Sequence, residues 1–312
     1  MKLSRDSKLQ IRQPGGNSNV LGMLPWRIRV LGKIVLSRLP VSYSLWKRIG
    51  LFEHGAMNQP RYALGVVAEH MRKSGILPSC RDFVALELGP GDSLFSGLVA
   101  HAMGAVTTYS VDAGCFATMS LENYRDMEGY LAAQGLSIPD TSAVKSTQEL
   151  LAAYGIRYLT SGLRSFEQLA DASVDFLWSH ATLEHVRRSE FMGLAKEMRR
   201  VLRRTGVASH QVDLRDHLGG ALNNLRFSER TWESRFMSRS GFYTNRIGYS
   251  EMLALMGQAG FEIEVTEVIR WEVLPTPRRK MAPEFRERSL DDLLVQGFHM
   301  LARPVALAAT PQ

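Results

Sequence analysis

Glu87-Leu88-Gly89-Pro90-Gly91-Asp92-Ser93 is the stretch that decides the fold. It follows an apolar run, Phe83-Val84-Ala85-Leu86, and leads into another, Leu94-Phe95-Ser96-Gly97-Leu98-Val99-Ala100. That order is strand, glycine turn, helix: the opening unit of an α/β nucleotide-binding domain. Glycines there let a ligand lie against bare backbone, with no Cβ in the way. The amides that begin the helix then face the ligand. The third glycine of the dinucleotide fingerprint is absent, and Ser93 lies where it would often stand.

Working outward, an apolar strand at Val106–Val111 ends in Asp112. An acid at the end of a second strand can accept both hydroxyls of a ribose. Further on runs Ser173-Val174-Asp175-Phe176-Leu177-Trp178-Ser179-His180-Ala181-Thr182-Leu183-Glu184-His185-Val186. In this order, the three segments resemble the motifs of class I S-adenosylmethionine-dependent methyltransferases, over residues 76–304 or so. The resemblance implies a Rossmann-like seven-stranded methyltransferase sheet and S-adenosyl-L-methionine as cofactor. It places Glu87, Gly89 and Gly91 in the first turn against the cofactor, Asp112 on the ribose, and Ser179 and His180 beside the methionine end. Where the family often has an acid for the adenine amine, this chain reads Thr160-Ser161-Gly162-Leu163. Groups near Ser161 are expected to substitute.

The remaining pattern alternates strand and helix. Strands are predicted at 157–160, 174–179, 206–212, 261–269 and 294–301, and helices at 119–134, 148–153, 191–202 and 249–258. The expected domain plan is a tail and helical extension over 1–75, a methyltransferase domain over 76–304, and a tail over 305–312. Within the domain, 213–247 reads as an insertion after strand five. The extension contains Trp26-Arg27-Ile28-Arg29-Val30, whose basic and apolar positions do not segregate on a helical wheel. It is expected to pack on the catalytic domain, with a weak membrane-surface contact as the alternative.

The chemistry is expected at the end of strand five, Ser209-His210-Gln211-Val212-Asp213-Leu214-Arg215-Asp216-His217. A hydroxyl acceptor needs a base for its proton, and histidine titrates in the right range. His210, with Asp213 and His217, is the predicted catalytic set. The cluster is similar to the divalent-metal sites of some sugar-methylating relatives, but strand alternation puts His210 and Asp213 on opposite faces, so no metal is expected. The insertion is rich in Asn, Arg and aromatics (Asn223, Asn224, Arg226, Phe227, Trp232, Tyr243, Asn245, Arg246), which suits acceptor recognition. The stretch Asp216 to Ser228 resembles methyltransferases of bacterial surface-polysaccharide assembly.

These features point to O-methylation of a sugar, glycan or other small hydroxylated acceptor. The alternative is an RNA-modifying or RNA-binding protein that retains the fold. Against it, the place of the base-methylating Asn-Pro-Pro-Tyr motif reads Ser179-His180-Ala181-Thr182, and no dense basic and aromatic stripe appears. No nucleic-acid partner is therefore expected. The net charge of +7, 38 basic residues against 31 acidic, is mild for 312 residues. Two cysteines, Cys80 and Cys115, are too few for a disulfide framework and fit a cytoplasmic protein, peripheral to the inner membrane face at most.

Overall fold

The computed structural model describes residues 56–76 and 82–305. The basic segment 21–55, Cys80 and the terminal tails lie outside the described residues. From Met57 onward the chain belongs to one compact unit.

That unit is built on a seven-stranded sheet in the order β3-β2-β1-β4-β5-β7-β6. The strands are β1 (Phe83–Leu88), β2 (Ala105–Val111), β3 (Ile156–Leu159), β4 (Val174–His180), β5 (Leu202–Asp213), β6 (Phe261–Arg270) and β7 (Val295–Pro304). β1 to β5 pair in parallel, whereas β7 runs antiparallel to both of its neighbours. The order reverses between β1 and β4, and an open α/β sheet places its ligand at the carboxyl ends beside such a reversal. This is the predicted fold, with strand limits displaced by a few residues.

One face is covered by α1 (Pro60–Ser74), α2 (Phe95–Ala102), α3 (Leu121–Ala133) and α4 (Thr147–Ala153). The other is covered by α5 (Arg188–Val201) and α7 (Tyr249–Gln258). Phe176 and Trp178 of β4 point to the first face, and Leu177 to the second. Burying side chains of this size is worth about 1.5–3 kcal/mol each.

Helix α1 shows why the sequence folds this way locally. Pro60 opens it, where its missing N–H costs nothing. Gly75 closes it at φ 76°, with its N–H donated to Arg72 O. Its buried stripe is Ala63, Val66, Val67, His70, Met71 and Ser74, and this stripe lies on α2 and β5. Two polar members in an apolar stripe need partners, and His70 finds them in the sheet.

The segment 214–247 holds a 3-10 turn (Asn223–Arg226) and the short helix α6 (Glu229–Trp232). It packs with α8 (Pro283–Arg286) and α9 (Leu290–Leu293) around a small core of Leu222, Leu225, Met281, Phe285 and Leu293.

Candidate active site

The turn after β1 has the conformation its glycines predict. Gly89 and Gly91 sit at φ 73° and 70°, in the left-handed region. A Cβ on Gly89 would lie 2.4 Å from the Thr182 side chain, so the β4 exit approaches that bare backbone closely. The Asp112 carboxylate draws the turn to β2: Oδ2 accepts from Gly91 N at 3.1 Å and Oδ1 from Ala113 N at 2.7 Å. Each oxygen keeps lone-pair capacity for a ribose hydroxyl. Tyr158 of β3 fixes the rest of that loop, accepting from Phe116 N and Ala117 N and donating to Gly114 O. Ser161 is exposed at the β3 exit, and the adjacent Gly162 donates to Asp112 O at 2.8 Å. The structure thus brings Gly89, Gly91, Asp112 and Ser161 to one edge.

Glu87 lies just beneath that edge, buried. Its carboxylate accepts from Ser96 Oγ in a short bond and from Trp178 Nε1 at 3.3 Å. Burial pushes this carboxyl up to about 7, and the Asp112 carboxyl up to about 6. Neither forms an ion pair with a cation among the described residues. Two acids held this way fit a ligand that carries positive charge into the edge.

The β4–β5 exits differ from the sequence expectation. His210 is 0% exposed, and its Nδ1 is hydrogen-bonded to Ser179 Oγ at 2.8 Å. The register pairs Ser179 with His210, so both side chains point to the same buried face. Burial pulls the His210 imidazole down to about 3 and its Nε2 is sealed inside. This corrects two expectations. His210 is a buried partner of Ser179, closed to any acceptor, and Ser179 turns away from the edge that Glu87 and Asp112 define.

Asp213 and His217 do not form a set with it. The Asp213 carboxylate pairs with Arg215, Nη2 to Oδ2 at 2.7 Å. His217 is exposed and stacks on His185, ring centroids 4.9 Å apart. His185 Nδ1 meets Tyr243 O at 2.9 Å, a contact that only a protonated Nδ1 can make. Asp216 is buried and accepts from Leu218 N and Asn223 N, which folds the start of the insertion.

The histidine that does reach the edge is His180, the last residue of β4 and only partly covered. The next residue, Ala181, takes φ 51°, a conformation costing about 1–2 kcal/mol for a residue with a Cβ. That sharp exit turns the chain at the imidazole. Tyr62 of α1 lies 3.3 Å from His180 Nε2, and His70 of α1 lies 3.4 Å from its Nδ1. Burial lowers the His180 imidazole to about 4, with Asp213 opposing the shift and Lys73 adding to it. Asp213 is therefore electrostatically coupled to His180.

The insertion spends most of its recognition-type residues on itself. Trp232 is buried and donates to Thr244 O at 2.7 Å. Arg246 lies over the Trp232 and Phe285 rings and donates to Phe227 O. Asn245 ties the 3-10 turn Leu183–His185 down through Leu183 O and Val186 O. Glu184 Oε1 accepts from Asp213 N at 3.1 Å. What stays open is a cavity of about 30 Å³ lined in part by Glu184, Asp213, Asn224, Thr244 and Arg246. Glu184 Oε2, Asn224 Oδ1 and Arg246 Nε are buried around it without a protein partner. Burial pushes the Glu184 carboxyl well above the usual carboxylate range.

Sequence reasoning missed Tyr62, His70 and His299. The available signal was polar residues within apolar stripes: His70 in the buried face of α1 and His299 in the apolar run of β7. No group of metal-binding side chains occurs among the described residues. Cys115 is an exposed free thiol. Among the described residues, no helix is long and apolar enough to cross a membrane.

Residues 86–209 match the family described as a methyltransferase domain. No curated protein matches the chain significantly. Among solved structures, the chain is similar to the YcgJ protein of Bacillus subtilis at 14% identity and TM-score 0.40, covering 79% of this chain and 99% of that one. It is similar to phosphoethanolamine N-methyltransferase 2 of Haemonchus contortus, bound to S-adenosylhomocysteine, at 13% identity and TM-score 0.44, covering 78% of this chain and 53% of that one. An arsenic(III) S-adenosylmethionine methyltransferase of Chlamydomonas reinhardtii shares 15% identity at TM-score 0.41, with coverage of 81% and 75%. Likenesses this remote say nothing about the acceptor. The matched segment spans the glycine turn, the Asp112 loop and the β4 exit, whose two uncompensated acids fit a cationic sulfonium cofactor. The chain carries a methyltransferase domain, and its methyl donor is S-adenosylmethionine.

Proposed function

We propose that the chain methylates a hydroxyl of a sugar, glycan or other small hydroxylated molecule, with His180 as the proton acceptor. The observation that carries this reading is the imidazole of His180, kept neutral at the β4 exit, where the next residues approach the glycine turn. S-Adenosylmethionine supplies an electrophilic methyl group: its C–S bond breaks as the acceptor O–C bond forms, sulfur keeps the electron pair as a neutral thioether, and the acceptor proton is left over. A protein that methylates a hydroxyl must hold a base for that proton. His180 and the Tyr62 hydroxyl above it are the groups placed for it.

Gly89, Gly91 and Asp112 would hold the cofactor by backbone and ribose contacts, with Glu87 offsetting its ammonium and Ser161 at the adenine rim. Three unpartnered polar atoms around a hydroxyl-sized cavity beside Asp213 favour a hydroxylated acceptor over an apolar one. Precursors of surface polysaccharides are the first acceptors to try. The test is transfer of a labelled methyl group to glycan, small polyol and RNA fractions. Label in a hydroxylated small molecule or glycan is expected. Label confined to RNA overturns the reading.

A further inference from the structure

His180 does not end at the edge. From it, an unbroken line of hydrogen bonds runs along the first face of the sheet to the surface at β6. His180 Nδ1 meets His70 Nε2 at 3.4 Å, and His70 Nδ1 meets Ser209 Oγ at 2.7 Å. Ser209 Oγ meets His299 Nε2 at 2.9 Å, and His299 Nδ1 meets Thr266 Oγ1 at 2.5 Å. His70, Ser209 and His299 are buried, whereas Thr266 is exposed. Thr266 sits at a bulge in β6, between the Val265–Met300 and Glu267–His299 pairs. Bulges re-aim side chains, and this one sets a surface hydroxyl on a buried imidazole.

The geometry points to a proton exit: a relay of His180, His70, Ser209, His299 and Thr266 that carries the proton released by methyl transfer from the active-site edge to solvent at the outermost strand, β6. It rests on the proposed role of His180 as proton acceptor. Each imidazole in the line uses one nitrogen toward the edge and the other toward the exit. A proton arriving at His180 Nε2 lets the Nδ1 proton leave to His70 Nε2. His70 Nδ1 then gives its proton to Ser209 Oγ, and the Ser209 hydroxyl proton passes to His299 Nε2. His299 Nδ1 releases its proton to Thr266 Oγ1, whose own proton goes to water. One proton enters, one leaves, and no heavy atom changes its bonding.

A conducting line has two states, with all three histidines carrying Nδ1–H or all three carrying Nε2–H. Mixed tautomers in His180 and His70 set two bare nitrogens or two N–H groups against each other, and mixed tautomers in His70 and His299 leave the Ser209 hydroxyl accepting from both rings or facing two bare nitrogens, which stops the relay. Passage of one proton converts the first state into the second, and ring and hydroxyl reorientation restores it. Burial holds all three imidazoles far below the usual range, His180 at about 4, His299 at about 3 and His70 well below. Lys73, Arg72 and the neighbouring histidines add to the shifts, and Asp213 opposes the one on His180. Groups that disfavour charge so strongly store a proton poorly and hand it on.

Nitrogen-15 histidine labelling of the full chain reads the tautomers without an acceptor or cofactor. His70, His180 and His299 are expected to share one tautomer; different tautomers among the three overturn the relay. Thr266→Val, a substitution suited to an exposed strand position, removes only the outlet. Exchange of the His299 ring N–H with water should then slow by about tenfold, the factor corresponding to one lost hydrogen-bonding step. Unchanged or faster exchange at an unchanged Tm would mean that the line is only structural. Labelled-methyl transfer fails or succeeds independently of these two readouts, which separates the relay from the assignment of the acceptor.

Discussion

The two halves of the sheet edge are built by different physics. At the exits of β1, β2 and β3 the work falls to backbone amides, two glycines in left-handed conformation and one acid, supplied by short stretches on each side of a turn. At the exits of β4 and β5 it falls to side chains brought from distant parts of the chain, with Tyr62 and His70 lying 118 and 110 residues from His180. Backbone recognition demands particular residue types at fixed spacing and so leaves a motif. A side-chain relay demands only that a few polar groups meet inside an apolar layer.

The largest expected effect breaks the second half. His180→Ala should cut labelled-methyl turnover by about 10²–10⁴-fold, the usual contribution of a positioned base, with cofactor affinity measured by calorimetry nearly unchanged. His210→Ala is the contrast from the neighbouring strand. It should lower stability by about 1–3 kcal/mol through the stranded Ser179 hydroxyl, yet leave turnover of the folded protein within a few-fold. Equal turnover losses in the two variants would return His210 to the chemistry.

Next comes the first half. Gly89→Ala forces a Cβ into a left-handed turn and against Thr182, where it would sit 2.4 Å away. A conformational cost of about 1–3 kcal/mol is expected, read as a lower Tm together with loss of cofactor binding. Gly129→Ala is the control, because nothing lies within 4 Å of its Cβ position and it falls within α3. That change should stabilise the helix by up to about 1 kcal/mol. A tolerated Gly89→Ala would mean that the turn can reshape and that bare backbone is not what the ligand needs.

What was legible follows the same division. The strand and helix plan could be read because each element repeats its apolar positions at its own period, and Gly155 and Gly260 mark where helices stop. The turn that holds Gly89 and Gly91 and the strand end at Asp112 could be read because their spacing is set by one turn and one strand. His210 was misplaced because it lies three residues before the end of a strand beside the right edge, and only the register, which pairs it with Ser179, shows that it points into the core. The insertion was misread for a related reason. Asn245, Arg246 and Trp232 have the chemistry of a sugar-binding surface, but here that chemistry satisfies carbonyls and rings of the insertion itself. His70 and His299 become visible as a pair only once α1 and β7 are packed on the same face.

Asp112 tests whether the first half works by charge or by shape. Asp112→Ala loses the ribose contacts and also the acceptors of Gly91 N and Ala113 N. With a charge-assisted bond worth about 1.5–3 kcal/mol, cofactor affinity should fall at least about tenfold. Asp112→Asn keeps an acceptor for the turn and should fall less while retaining the parent Tm. If both variants bind the cofactor as tightly as the parent, Asp112 serves the turn alone and the ribose lies elsewhere.

The smallest effects lie in pH, where the two halves pull in opposite directions. Glu87 at about 7 and Asp112 at about 6 are raised by burial above the ordinary carboxyl value of about 4. Their folded forms hold protons that the unfolded chain has released. The stability they give is full below about pH 4 and is lost as pH rises through 6 and 7. His180 at about 4 and His299 at about 3 lie below the ordinary imidazole value of about 6.5. Their stability is present above that value and is lost as pH falls toward 4 and 3. The two windows overlap between about pH 4 and 6.5, where their slopes oppose each other, and thermal melts of the parent and of single variants across pH separate them. Glu87→Gln keeps an acceptor for Trp178 and removes the titration. It should flatten the alkaline limb and raise the cofactor-free Tm near pH 7.5 by about 2–4 °C, equivalent to about 1 kcal/mol in a domain of this size. Cofactor affinity should fall in the same variant, because a neutral amide cannot offset an ammonium, and its rise between pH 6 and 7 should disappear. Stabilisation of the empty protein at the expense of binding is what a buried acid reserved for a cationic ligand predicts. An alkaline limb unchanged by Glu87→Gln would assign that limb to Asp112 and leave Glu87 as a packing residue of the first face.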